Sequence, residues 1–269
     1  MLNLSDAGRP ERRTCDIEIW VGVFMNRFDK IDDPRRRVLV RALTMGLMSA
    51  GIPVGDLFAQ GLLGSAPSKL PPGRSIYRIV GTAKINGAPA TLQTPVRPGD
   101  TIETGKDSEI IFVVGSHSMI LRGESRIELE AEKKEASSAL INGLRLLTGR
   151  LLSVSRNTPM RLNTLTATIG IRGTGWYVES DPEQTYFCTC YGVVDVAASN
   201  DPESKQTVTA RHHDRPLYIL GKSAPGRGIR NAPFINHTDQ ELMLIETLVG
   251  RTPPFVFPKD DYTGPRRDY

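Results

Sequence analysis

From Ile76 to about Leu220 the chain is broken by turn signals every eight to twelve residues or so, and that spacing limits the fold more than any other feature. The turns are Asn86-Gly87, Pro98-Gly99-Asp100, Thr104-Gly105-Lys106-Asp107, Val114-Gly115-Ser116, Asn142-Gly143 and Thr148-Gly149. Between them lie short runs rich in β-branched residues, such as Glu109-Ile110-Ile111-Phe112-Val113-Val114 and Ser118-Met119-Ile120-Leu121. No helical period interrupts them. Short strands at this spacing predict an all-β domain, β-solenoid-like or a sandwich of short strands. The 25 glycines and 19 prolines suit many tight turns, and 39% hydrophobic residues provide a core and exclude wholesale disorder.

Around this β region the chain divides further. Residues 67–75 (PSKLPPGRS) read as a Pro-rich linker. Residues 131–138 (AEKKEASS) and Asn200-Asp201-Pro202-Glu203-Ser204 read as surface loops. Residues 221–269 hold one helix and an extended tail. Thr238-Asp239-Gln240-Glu241 has capping-box form, Leu242, Ile245, Leu248 and Val249 follow at helical spacing, and Gly250 is the stop. The tail RTPPFVFPKDDYTGPRRDY is rich in proline and is expected to be extended and solvated.

Residues 34–66 carry the layout of an export signal: basic residues, an apolar stretch from about Ala42 to Val54, then small residues. The stretch is shorter than the ~20 apolar residues that span a bilayer comfortably. Arg35-Arg36 followed by Arg37-Val38-Leu39 resembles a twin-arginine signal, with Val38 and Val40 where Phe and Lys are usual. Ala66 has Gly64 placed for cleavage, but Pro67 follows, so an uncleaved anchor associating with the inner membrane through residues 38–58 is the alternative. Residues 1–33 form an N-terminal extension, in which Met25 reads as the natural start. The positive charge is concentrated at Arg9 to Arg13 and at Arg35, Arg36, Arg37 and Arg41; the remainder is mixed in sign, and at +4 overall there is no nucleic-acid stripe.

The run Pro98-Gly99-Asp100-Thr101-Ile102-Glu103-Thr104-Gly105 resembles the G-D-x-x-x-T-G turn that opens a FecR-like domain. Ala167-Thr168-Ile169-Gly170-Ile171-Arg172-Gly173-Thr174 is similar to that family's apolar strand ending in R-G-T. Trp176-Tyr177-Val178-Glu179 and Tyr191-Gly192-Val193-Val194-Asp195-Val196 look like the strands that follow. The resemblance covers roughly residues 75–220. It implies a FecR-like β domain over 76–220 in the periplasm, exported or anchored. In the family's named member such a domain passes a signal from an outer-membrane receptor to a sigma factor. Gly99, Asp100, Thr104, Gly105, Arg172, Gly173, Thr174 and Gly192 are the structural signature. Independently of the family, glycines at corners supply positive φ or close backbone approach, and Arg172 is expected to bind loop carbonyls or a carboxylate.

One constellation offers chemistry. Cys188 and Cys190 alternate on a strand and so share a face. Three of the four histidines follow, His212, His213 and His237, while His117 sits at a turn and is assigned nothing. In a meander, Thr207 to Ala210 would return beside the cysteine strand and bring His212 and His213 with it. Two sulfurs and two imidazoles suit a tetrahedral metal, most simply Zn, with Cu or Fe as alternatives. Against this, cysteine is often simply buried as a small apolar residue. A Cys188–Cys190 disulfide is awkward, because same-face neighbours on a strand lie about 7 Å apart. There is no G-x-S-x-G, phosphate loop or H-E-x-x-H, so no enzyme is expected. Three functions stay open at this point: a non-catalytic envelope module binding a protein or glycan partner in signal transduction, a periplasmic metal-binding or redox protein, and a sigma-factor regulator.

Overall fold

The structure, a computed structural model, describes residues 67–131 and 141–254, leaving out the side chains of 156–158. The expected extension 1–33, export signal 34–66 and tail from residue 255 onward lie outside the described residues, as does the expected loop 131–138 apart from Ala131. Among the described residues no helix is long and apolar enough to cross a membrane.

Thirteen strands and one helix follow in order: β1 (Ile76–Val80), β2 (Ala83–Ile85), β3 (Ala88–Pro89), β4 (Thr101–Thr104), β5 (Glu109–Val114), β6 (His117–Leu121), β7 (Arg126–Ala131), β8 (Ile141–Asn163), β9 (Ala167–Ser180), β10 (Gln184–Ala198), β11 (Asp201–Ala210), β12 (Leu217–Leu220), β13 (Ile229–Asn231) and α1 (Asp239–Leu248). They form one open sheet running β13-β12-β10-β9-β8-β7-β4-β2-β3, with β11 on β10, β6 on β8, β5 on β6 and β1 on β5. The all-β expectation holds. All the described pairings are antiparallel, which rules out the stacked parallel coils of a solenoid.

Three strands are longer than the turn spacing foretells: β8 has 23 residues, β9 has 14 and β10 has 15. Glycine signals inside them bend the strands instead of ending them. Thr148-Gly149 lies within β8, where pairing passes from β7 to β6 and β9. The R-G-T element lies within β9, opposite register shifts in β8 and β10. Gly192 marks the bend in β10: its φ is +95°, and a Cβ there would lie 2.6 Å from Thr174 Cγ2 and 3.1 Å from the Gly173 carbonyl. Arg172 pairs with Asp195, which also accepts from Thr207 at 2.7 Å, so its role is to bind a carboxylate across the ladder, as expected. The other expected loop shrinks to Ser199-Asn200, because Asp201 to Ser204 already belong to β11.

Period-two alternation divides the apolar residues between two cores. Ile110, Phe112, Met119, Leu121, Leu151, Trp176, Val178 and Phe187 face the larger core. Ile111, Ile120, Leu152, Val154, Tyr177, Tyr186, Cys188 and Cys190 face the other way, and Leu242, Ile245 and Leu248 of α1 cover them. The run Ile110 to Val114 is therefore apolar without alternation because β5 has buried residues on both faces.

The helix starts and stops where its caps dictate. Glu241 N–H donates to Thr238 Oγ1 at 3.3 Å, and Thr238 N–H donates to Glu241 Oε2 at 3.0 Å. At the far end Gly250 takes φ +73°, its N–H donates to Thr247 O at 2.9 Å, and Arg251 N–H donates to Glu246 O at 2.9 Å. The linker is tied to this end, with Leu70 N–H donating to Leu248 O at 2.9 Å.

The bend makes a testable demand. Gly192→Ala forces a left-handed alanine against Thr174, so the midpoint of urea unfolding should fall by the equivalent of about 2 kcal/mol. An unchanged midpoint would show that the bend does not depend on glycine.

Candidate metal centre

The site grows from the middle of β10. Cys188 and Cys190 are two residues apart, and both thiols point to the face under α1, where each is fully buried. Both are free. β11 returns along the second half of β10, ending at the Gly192–Ala210 pair, and the chain then turns tightly. Asp214 Oδ2 accepts from Arg211 N–H at 2.6 Å. His213 adopts φ +54°, a left-handed conformation that non-glycine residues rarely take. Its N–H donates to Cys190 O at 2.9 Å. Backbone and cysteine strand are thus bonded directly, which places the His213 ring over Cys188.

The fourth donor comes from the chain leading into α1. Tyr186 Oη donates to Pro233 O at 3.0 Å and accepts from Ile235 N–H at 3.2 Å. Asn236 Nδ2 donates to Glu179 Oε1 at 2.7 Å, and Arg122 donates to Asn236 O at 2.9 Å. Held this way, the His237 ring stacks on Tyr177 with centroids 4.5 Å apart, and the Phe234 ring stands edge-on to it.

Hydrogen bonds decide which nitrogens carry protons. His237 Nδ1 lies 2.7 Å from Ile235 O, so it donates there and Nε2 keeps its lone pair. His213 Nε2 lies 2.9 Å from Asp239 Oδ1, so it donates to the carboxylate and leaves Nδ1 as the nitrogen that a metal would take. These two inward nitrogens face each other at 3.2 Å, and His213 Nδ1 is 3.5 Å from Cys188 Sγ. With ordinary Zn–N and Zn–S bonds the N–N and N–S edges of a zinc tetrahedron are about 3.3 and 3.5 Å. All four donor atoms of Cys188, Cys190, His213 and His237 lie within 4.8 Å of one another.

Charge follows from the same contacts. Burial raises the Cys188 thiol, but hydrogen bonds from Cys190, His213 and His237 outweigh it and hold Cys188 well below the ordinary thiol range. Cys190 is pushed well above that range, by burial first and then by its bond to Cys188 and the charge there. Burial lowers His213, yet its bonds to Asp239 and Cys188 carry it up to about 9. His237 is lowered, chiefly by burial. Without a metal the centre therefore holds a Cys188 thiolate beside a His213 imidazolium, with Asp239 ionised behind them; burial opposes that ionisation, but the His213 and His212 hydrogen bonds prevail.

Of the five ligands expected from sequence, four converge. His212 does not: its side chain is 42% exposed, and Nε2 binds Asp239 Oδ2 at 2.8 Å, so it braces the carboxylate from outside. Both imidazoles reach the Asp239 carboxylate, but the His213 turn brings only His213 Nδ1 to the cysteines. Sequence reasoning missed Asp239, Phe234 and the Ile235 carbonyl. Asp239 had a visible signal as the acidic first residue of the helix, but that position reads equally as simple complement to the helix dipole. Cys188, His213 and Asp239 also stand in the order nucleophile, base, orienting carboxylate. Cys188 has no exposed surface and shares its space with a second thiol and a second imidazole, an arrangement of ligands rather than of an open acyl-transfer site.

No protein-family model matches the chain, and no curated protein does. Among solved structures it is similar to two crystal structures of a putative anti-sigma factor from Parabacteroides distasonis. Both share 15% identity with it, at TM-scores of 0.38 and 0.39, over 49% of this chain and 58% of that one. The match spans less than two thirds of that protein, and nothing about the site depends on it.

Two outcomes are expected. Asp239→Asn removes the acceptor that fixes the His213 tautomer and should weaken zinc binding 10- to 100-fold, read by competition with a chromophoric chelator; unchanged affinity would remove Asp239 from the site. In metal-free protein, ultraviolet thiolate absorbance should show one ionised cysteine at neutral pH. It should persist as pH falls below the ordinary thiol range, because the folded Cys188 lies beneath that range, and His213→Ala should abolish it. Two neutral thiols at neutral pH would contradict the charge assignment.

Proposed function

We propose that the chain is an exported, non-catalytic β module that binds one thiophilic metal ion, most simply zinc, through Cys188, Cys190, His213 and His237. The observation that carries this reading is the convergence of four buried donors whose two imidazoles each turn one ring nitrogen inward, oriented by a hydrogen bond on the opposite nitrogen. Hydrophobic packing alone gives no reason for that polarity. A core cysteine asks only for apolar neighbours, and two imidazole nitrogens facing each other at 3.2 Å need a proton or a metal cation between them.

The donor set defines the ion. Two sulfurs and two imidazole nitrogens suit zinc and copper(I) and disfavour magnesium or calcium, which take oxygen ligands. Four protein donors close a tetrahedron and leave no position for substrate, which is the pattern of structural and regulatory sites rather than catalytic ones. Export rests on the layout of residues 34–66. The FecR-like turn and R-G-T elements support a module that meets a protein or glycan partner in the cell envelope, in signalling.

Protein purified without added metal should carry near-stoichiometric zinc or copper by elemental analysis, and the Cys188→Ser, Cys190→Ser double variant should carry none. A wild-type protein that neither retains nor binds either metal would reduce the cluster to core packing.

A further inference from the structure

The four ligands do not belong to one rigid body. Cys188 and Cys190 lie on β10, and His213 is bonded through its backbone to Cys190. His237 belongs instead to residues 232–251, a segment that leaves the sheet after β13 and lies across the smaller core. Asp239 follows from the same segment and holds both His212 and His213. The centre therefore joins the segment to the sheet at the start of α1.

Apart from the centre, α1 is held by side-chain packing and a set of polar contacts. Ten residues are too few for a helix to persist in water by itself. Its hold on the rest of the domain includes Leu242, Ile245 and Leu248 in the smaller core, the Arg122–Glu241 pair at 3.1 Å, the bond from Tyr191 to Glu246, the bonds of Asp239 to His212 and His213, and the bond from Leu70 N–H to Leu248 O. At the centre the strength of the tie depends on what lies between His213 Nδ1 and His237 Nε2. With a cation present, both lone pairs are satisfied and the segment is clamped. With none, that tie is reduced to the 3.2 Å contact between His213 Nδ1 and His237 Nε2. The sheet has separate support: β8, β9 and β10 are laddered together along their lengths, and Leu151, Trp176, Val178 and Phe187 pack in the larger core on the opposite face.

We propose that metal occupancy of this centre controls the docking of residues 232–251, so that the metal operates a latch over the apolar face formed by Ile111, Ile120, Leu152, Val154 and Tyr177. The inference rests on the metal-site reading above and adds regulation to it. Loss of the ion releases α1 and uncovers that face, while the sheet stays folded. Local opening of this kind, below the cost of global unfolding, is open to a single short element at the edge of a domain.

The test is amide hydrogen exchange by mass spectrometry on the full chain in three states: zinc-loaded, zinc-stripped with a chelator, and His237→Gln in excess zinc. The variant leaves three donors on the sheet side and removes only the one contributed by the segment. Amides of α1 should exchange at least tenfold faster in the stripped protein and in the variant, while Leu151 to Ser155 of β8 and Thr174 to Ser180 of β9 keep their protection. Equal protection of α1 with and without bound zinc would overturn the latch and leave the metal site standing. Loss of protection throughout the sheet would overturn it too, because the metal would then hold the whole domain. Absence of zinc binding by titration would remove the metal site itself, and the latch with it.

Discussion

The central strands are buried on both faces, and the rest of the architecture follows from that condition. Strand side chains alternate, so β8, β9 and β10 present one row of residues to the larger core and another to the smaller. A second apolar face cannot be left to water, and α1 is the element that covers it. Covering it with a helix from the end of the chain requires the segment after β13 to cross back over the sheet, which brings His237 and Asp239 above the cysteine strand. The metal centre is thus a consequence of how the second face is closed.

Polar chemistry in such a place is tolerated only when it is fully paired. A buried ionised group without partners would shift to its neutral form, yet Asp239 and Cys188 both stay ionised because each meets hydrogen-bond donors. The order Cys188, His213, Asp239, His212 runs from the dry interior to the surface, with each link a polar contact to the next. This chain turns charge inward where the ligands are and ends it on an exposed imidazole. His117 shows the contrasting case: it is buried without a hydrogen-bond partner among the described residues, and burial, with Arg251 nearby, drives it down to about 4 and so keeps it neutral.

Strain marks the same region. His213 and Asn236 both hold positive φ without being glycine, and each stands at the turn that aims one half of the centre. Such conformations persist where surrounding bonds over-determine them: the Cys190 carbonyl and Asp214 for the first turn, Glu179 and Arg122 for the second. Gly175 shows the matching requirement on the sheet, where the Tyr191 ring passes so close that a Cβ would lie 2.4 Å from its Cε1.

Local chemistry made much of this legible in the residues alone. Alternation put Cys188 and Cys190 on one face, the Thr238–Glu241 box and Gly250 bounded the helix, and glycine at 99, 173 and 192 marked places of positive φ. Those features depend on one residue and its near neighbours, so the sequence contains them entirely. Strand length did not follow the same logic. Thr148-Gly149 reads as a turn between strands but is a bend within β8, because pairing to neighbours on both sides keeps the ladder running through a turn-prone residue. The choice between His212 and His213, the proton positions on both imidazoles and the part played by Asp239 were decided only in the tertiary structure. The His237 proton is set by the Ile235 carbonyl two residues away, but the others depend on partners 24 or more residues away in the chain, and no local pattern specifies which distant atom a ring nitrogen will meet.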